Sequence, residues 1–201
     1  MKTVSFSLLA LLATLPLTGV AHAQNFDGPS VGFQAGWVEN KVRNTETDLG
    51  SIAIDKTKDS AVIGGFVGYD KEIGNFVIGG EAGLSFGTSD TLSSGGGSNQ
   101  VLLNPKRSFD LSARAGYLVT PKTLVYGRGG YANERLNVTT IPSTGTEGES
   151  EDRDGWLVGG GVERKVTDKL SARVEYRYSD LSEGDGLYDR HQVLTGVTFR
   201  F

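Results

Sequence analysis

The 201-residue sequence contains no cysteine. That excludes disulfide staples, thiolate metal sites and a lipid-modified cysteine at a processing point. The sequence also lacks any internal run approaching the roughly 18 to 20 apolar residues of a transmembrane helix. Its one apolar stretch, Val4 to Leu17, follows Lys2 and leads into Ala21-His22-Ala23. A basic start, a short apolar stretch and a small-x-small site read as a secretory signal peptide, 1–23, cleaved before Gln24. Its removal leaves 178 residues and takes away Lys2 but no acid, so the net charge moves from −4 to −5. Clustered Lys and Arg of the kind that nucleic-acid phosphates need are missing too, and no nucleic-acid partner is expected. Helical periodicity is absent from 24–201. What is left is one domain, 24–201, that is either soluble in an exported compartment or crosses a membrane as strands.

The sequence is rich in glycine, 29 residues, about twice ordinary usage. Period-two alternation of apolar and polar residues recurs eight times, over 30–39, 60–70, 74–87, 107–119, 123–136, 154–166, 169–180 and 190–201. The connections alternate in length. Those at 71–73, 120–122 and 167–168 are tight, whereas 40–59, 88–106, 137–153 and 181–189 are long and polar. Short turns at one end and long loops at the other predict an all-β, eight-stranded antiparallel up-and-down barrel.

Each segment has one apolar face. Phe76, Ile78, Ala82, Leu84 and Phe86 share a side that excludes Glu81, and Phe109, Leu111, Ala113 and Tyr117 oppose Asp110 and Arg114. Val125 and Tyr131 oppose Tyr126 and Arg128, and Leu170, Val174, Tyr176 and Tyr178 oppose Arg173, Glu175 and Arg177. Val193, Val197, Phe199 and Phe201 oppose Arg200. The apolar face points inward in a soluble barrel and at lipid in a membrane barrel. Three features favour the transmembrane form. Glu81, Asp110, Glu163 and Glu175 can pair inside with Arg114, Arg128, Arg173, Arg177 and Arg200. Of the 18 aromatics, 13 fall on the apolar face, gathered near the segment ends as two interfacial girdles. The chain also ends in strand alternation, at Val197, Phe199 and Phe201.

The final third adds an ordered series of motifs. It runs Asp154-Gly-Trp156-Leu-Val-Gly-Gly-Gly-Val162-Glu163, then Val166-Thr-Asp-Lys-Leu-Ser171, then Val174-Glu-Tyr-Arg-Tyr-Ser-Asp-Leu181, and closes with Gly196-Val-Thr-Phe-Arg-Phe201. With Gly64-Gly-Phe-Val-Gly-Tyr69 and Gly79-Gly-Glu81, it resembles the small outer-membrane β-barrel surface antigens of alphaproteobacteria, the opacity-type porins, an eight-stranded barrel family. Arg164-Lys165 departs from that family's pattern, and the long loops carry no part of the likeness. The resemblance implies insertion by the outer-membrane assembly machinery, with Val197, Phe199 and above all Phe201 as its signal. It implies no defined reaction.

Catalytic and ligand chemistry is thin. His191 is the one histidine of 24–201, and a hydrolase would need a serine oriented beside it. The glycine clusters lack the strand–loop–helix setting of a phosphate loop. The acidic stretch 147–154 lacks the spaced aspartates and turn glycine of a calcium loop and reads as a solvated surface. No enzyme activity, metal or cofactor is expected. The expected partners are outer-membrane lipid and lipopolysaccharide, the assembly machinery, and a host or surface ligand at the loops. The interior charges leave two functions open. As a salt-bridge network they would plug a barrel of envelope structure and surface-loop presentation. As a polar lining they would make a small-solute channel.

Overall fold

The computed structural model describes residues 26–47, 50–88, 92–94, 100–141, 147–182 and 187–201. The expected signal peptide, 1–23, and the Gly/Ser residues 95–98 lie outside the described residues. Among the described residues nine strands run in order: β1 (Gly28–Thr47), β2 (Gly50–Ile73), β3 (Phe76–Thr88), β4 (Leu92–Ser94), β5 (Gln100–Thr120), β6 (Thr123–Ile141), β7 (Glu147–Lys165), β8 (Leu170–Asp180) and β9 (Leu187–Arg200). All but β4 form the barrel wall. Each is antiparallel to its sequence neighbour, β3 pairs with β5, and β1 pairs with β9, which closes the cylinder. The short β4 pairs only with Val101 to Leu103 at one end of β5. Closure gives every wall strand two hydrogen-bonded neighbours, the condition a β structure must meet where no water can satisfy its backbone.

The wall strands match the eight expected segments, but their ends differ. β1, β2, β5, β6 and β7 hold 20, 24, 21, 19 and 19 residues, whereas roughly 10 suffice to cross a bilayer. The expected loops at 40–59 and 137–153 are largely ladder, paired as far as Thr47↔Gly50 and Thr140↔Glu147. Apolar alternation stops where lipid stops, but the backbone ladder continues into water because it needs no apolar face. At the opposite end, β2 runs on to Ile73 and the turn falls at Gly74 and Asn75, not at 71–73. Gly74 has φ 63° there, a conformation glycine adopts without strain.

Burial alternates along each strand. Phe33, Trp37, Ile63, Val67, Leu111, Val158 and Val197 are exposed on the outer wall. Phe66, Val62, Val38, Leu157, Leu194 and the charged residues turn inward. β9 approaches β1 closely: a Cβ at Gly36 would stand 2.1 Å from the Val193 carbonyl oxygen and 2.9 Å from the Leu194 Cα. At Gly127 the nearest atom to such a Cβ is 3.8 Å away. Gly36→Ala is therefore expected to destabilise the barrel by about 1–3 kcal/mol or more, since backbone cannot yield as a side chain can. Gly127→Ala should be neutral. Urea unfolding of both variants in lipid vesicles checks the contrast.

Candidate functional site: the barrel lumen

Inward-pointing residues of seven strands meet in the lumen because alternate positions on each strand face it. Near the short-turn end, four groups form a closed square. Arg114 donates to Asp70 at 2.5 and 2.7 Å and to Glu163 at 2.9 Å. Arg200 completes it, donating to Asp70 at 2.7 Å and to Glu163 at 3.3 Å. Further along, six groups form a second cluster around Arg128. This guanidinium reaches Glu81 at 2.8 Å, Asp110 at 3.1 Å and Glu175 at 3.1 Å, and it also donates to the Ser112 hydroxyl. Arg173 donates to Glu81 at 2.6 Å. Arg177 donates to Glu175 at 2.6 Å and to Asp110 at 3.1 Å. All ten side chains are buried.

Charge balances within each cluster. The square holds two acids and two arginines, and the larger cluster holds three of each. Tyr126 joins them: its hydroxyl donates to Glu175 at 2.7 Å, while the Arg114 guanidinium lies over its ring, 5.1 Å from the centroid. Arg173 stacks on Phe66 at 3.6 Å, and Gln34 accepts a hydrogen bond from it at 2.8 Å. Nearer the long-loop end, Glu134 accepts from Arg190 at 3.3 Å and from the Tyr188 hydroxyl at 3.1 Å.

The nine charged residues singled out from sequence all face the lumen and contact one another. Asp70 was missed, although it shares the inward parity of Phe66 within 60–70; it supplies the fifth acid and removes the apparent excess of arginine. Glu134 and Arg190 were also missed, and both lie on the inward parity of their strands. The outer wall carries the aromatics. At the long-loop end, Trp156 and Tyr178 pack edge to face at 5.4 Å, and the Tyr178 hydroxyl donates to Asp189 at 2.7 Å. His191 sits among them on the outside, its Nδ1 2.7 Å from the Tyr176 hydroxyl. Ser182 instead accepts a hydrogen bond from the Tyr188 backbone at 3.1 Å. In the acidic stretch, the side chains of Glu147, Glu149 and Glu151 lie outside the described residues, and Asp152 and Asp154 are exposed. Val197, Phe199 and Phe201 share the outer face, with the two phenylalanine rings 5.2 Å apart. β7 carries through Arg164 to Lys165, whose side chain turns inward.

Removing one partner from a buried ion pair leaves an uncompensated charge. Asp70→Asn is accordingly expected to lower stability by about 3–5 kcal/mol, because both Arg114 and Arg200 lose an anion. Asp27→Asn, which breaks the solvent-facing pair with Lys71, should have little effect. Parallel urea titrations of the refolded barrels measure the difference.

Comparison with known proteins places this architecture. The model of the outer membrane protein beta-barrel domain matches residues 7–201. The 25 kDa outer-membrane immunogenic protein of Brucella canis is 33% identical over 183 residues, covering 90% of this chain and 75% of that protein. The 22 kDa outer membrane protein of Rhizobium leguminosarum bv. viciae is 34% identical over 145 residues, covering 68% of this chain and 64% of its own length. Among solved structures, the outer membrane protein OprG from Pseudomonas aeruginosa superposes with a TM-score of 0.57 at 11% identity, over 90% of this chain and 99% of that one; at that identity the likeness speaks for the fold alone. The closed eight-stranded wall, its apolar exterior and these relatives agree on an outer-membrane location, and the chain belongs to the outer membrane protein beta-barrel domain family.

Proposed function

We propose that the protein is a non-catalytic scaffold of the outer membrane, with its lumen closed by its own side chains and its long-loop end presented at the cell surface. The observation that carries this reading is the pair of charge-neutral clusters inside the barrel. An eight-stranded barrel is just wide enough for side chains to fill, and ten paired, buried ions occupy its waist. Balanced charge also removes the field that a ring of unpaired arginines would exert on permeating anions.

In this reading the short-turn end, with Phe26 and Phe201, faces the periplasm. The paired extensions of β1 with β2 and of β6 with β7 stand clear of the bilayer outside. They offer the surface through which the protein meets lipopolysaccharide and a host or surface ligand. The Brucella relative is named as immunogenic, a property that fits a surface-presented protein. The outward row Val197, Phe199 and Phe201 on the last strand is the segment the assembly machinery would read.

The porin reading is tested directly by single-channel recording of the refolded protein in a planar bilayer. The wild-type barrel is expected to be silent. Steady, reproducible conductance steps that change in Arg128→Ala would overturn the scaffold reading and make the interior arginines the lining of a channel.

A further inference from the structure

The charged clusters do not account for Phe26. This residue precedes β1, has no strand partner, and is nevertheless 0% exposed. Its ring lies inside the short-turn mouth against Val77, Leu124 and Tyr126, with Leu118 at the rim. Two cations bracket it: the Lys165 ammonium is 5.0 Å and the Arg200 guanidinium 5.2 Å from the ring centroid. Arg200 belongs to the ion square, so the ring packs directly beneath that square.

The chain is built to hold the ring there. Gly28 has φ 106°, a conformation that side-chain-bearing residues rarely adopt, and it redirects the backbone from the wall into the mouth. The Phe26 amide donates to Glu72 at 2.6 Å, and Asp27 pairs with Lys71 at 2.7 Å. Both ties reach the end of β2, beside the Gly74 turn. Burying a phenylalanine among apolar side chains is worth roughly 1.5–3 kcal/mol, enough to keep a short terminal segment seated without a strand pairing. With cleavage after Ala23, Phe26 is the third residue of the mature chain.

We propose that the mature N-terminus is a stopper, and that Phe26 seals the periplasmic mouth of the lumen against water and small solutes, in series with the ion clusters above it. Two seals of different chemistry then close one tube. The ionic one is tied to the wall at every member, whereas the apolar one is held, among the described residues ahead of β1, by one amide tie and one surface ion pair. The periplasmic seal is therefore the one that can be withdrawn without breaking the barrel. This rests on the closed-lumen reading, and the two fail separately: wild-type conductance would overturn that reading, whereas the following experiment addresses the stopper alone.

The chain has no native cysteine, so a single introduced thiol reports without background. Ser171 is 1% exposed and in register with Lys165 at the periplasmic end, whereas Gln192 is buried past the ion square at the level of the larger cluster, in register with its member Arg177. Ser171→Cys and Gln192→Cys, each refolded in lipid vesicles and verified by the gel shift on heating, would be exposed to a charged methanethiosulfonate. Phe26→Ala is expected to speed labelling of Ser171→Cys by about tenfold or more, as local opening replaces a sealed mouth. Phe26→Leu should restore slow labelling, and Gln192→Cys should not respond. An unchanged Ser171→Cys rate in Phe26→Ala would overturn the proposal. So would an equal rise at both reporters, because that would mark loosening of the whole barrel.

Discussion

The pairing of Arg128 with three carboxylates is the interaction on which the interior depends. Glu81, Asp110 and Glu175 come from β3, β5 and β8, and all converge on one guanidinium from β6. A buried arginine is tolerated only where anions and hydrogen-bond acceptors surround it. Those acceptors are in place only when the strands hold their register, so the charge network and the backbone ladder specify each other. A one-residue slip of any strand would turn its charges toward lipid and its aliphatic residues toward the ions. Tyr126 extends the same constraint to the ion square, since its hydroxyl donates to Glu175 while its ring lies under Arg114.

The outer wall is governed by a different solvent. Over the membrane band, outward positions carry aliphatic residues and glycine, with aromatic rings towards both ends, where amphipathic rings favour the interface. Beyond the band the wall strands keep pairing while their outward residues become polar, as at Glu39, Asp59 and Asp152. The molecule is thus a single ladder in two solvents. Its surface changes composition at the membrane boundary although its backbone does not.

These facts decide what could be read in advance. The faces of the central strands were legible because side-chain direction has period two, and because an unpaired charge against lipid is costly. Strand ends were not, because polar ladder in water and polar loop share a composition; 40–59 and 137–153 read as loops for that reason. The interior charges were legible as a set and incomplete as a list. Asp70 and Glu134 sit near segment ends, where the apolar contrast that identifies a face fades. The Tyr176 partner of His191 was not legible either, because it follows from a diagonal contact between β8 and β9 that requires the register.

By itself, the sequence determined the all-β class, the number of wall strands, the side of each strand that meets lipid, and the absence of disulfide or thiolate chemistry. Each is a local property: composition, periodicity, or turn length between neighbouring segments. Only the tertiary structure decided which acid meets which arginine, that ten of the interior charges divide into two neutral clusters, and that Phe26 enters the mouth. Those facts depend on barrel closure, which brings Asp70 within hydrogen-bond distance of Arg200 across 130 positions of sequence. Alternation along one strand tells which way a side chain points; what it points at is set by the strands across the lumen.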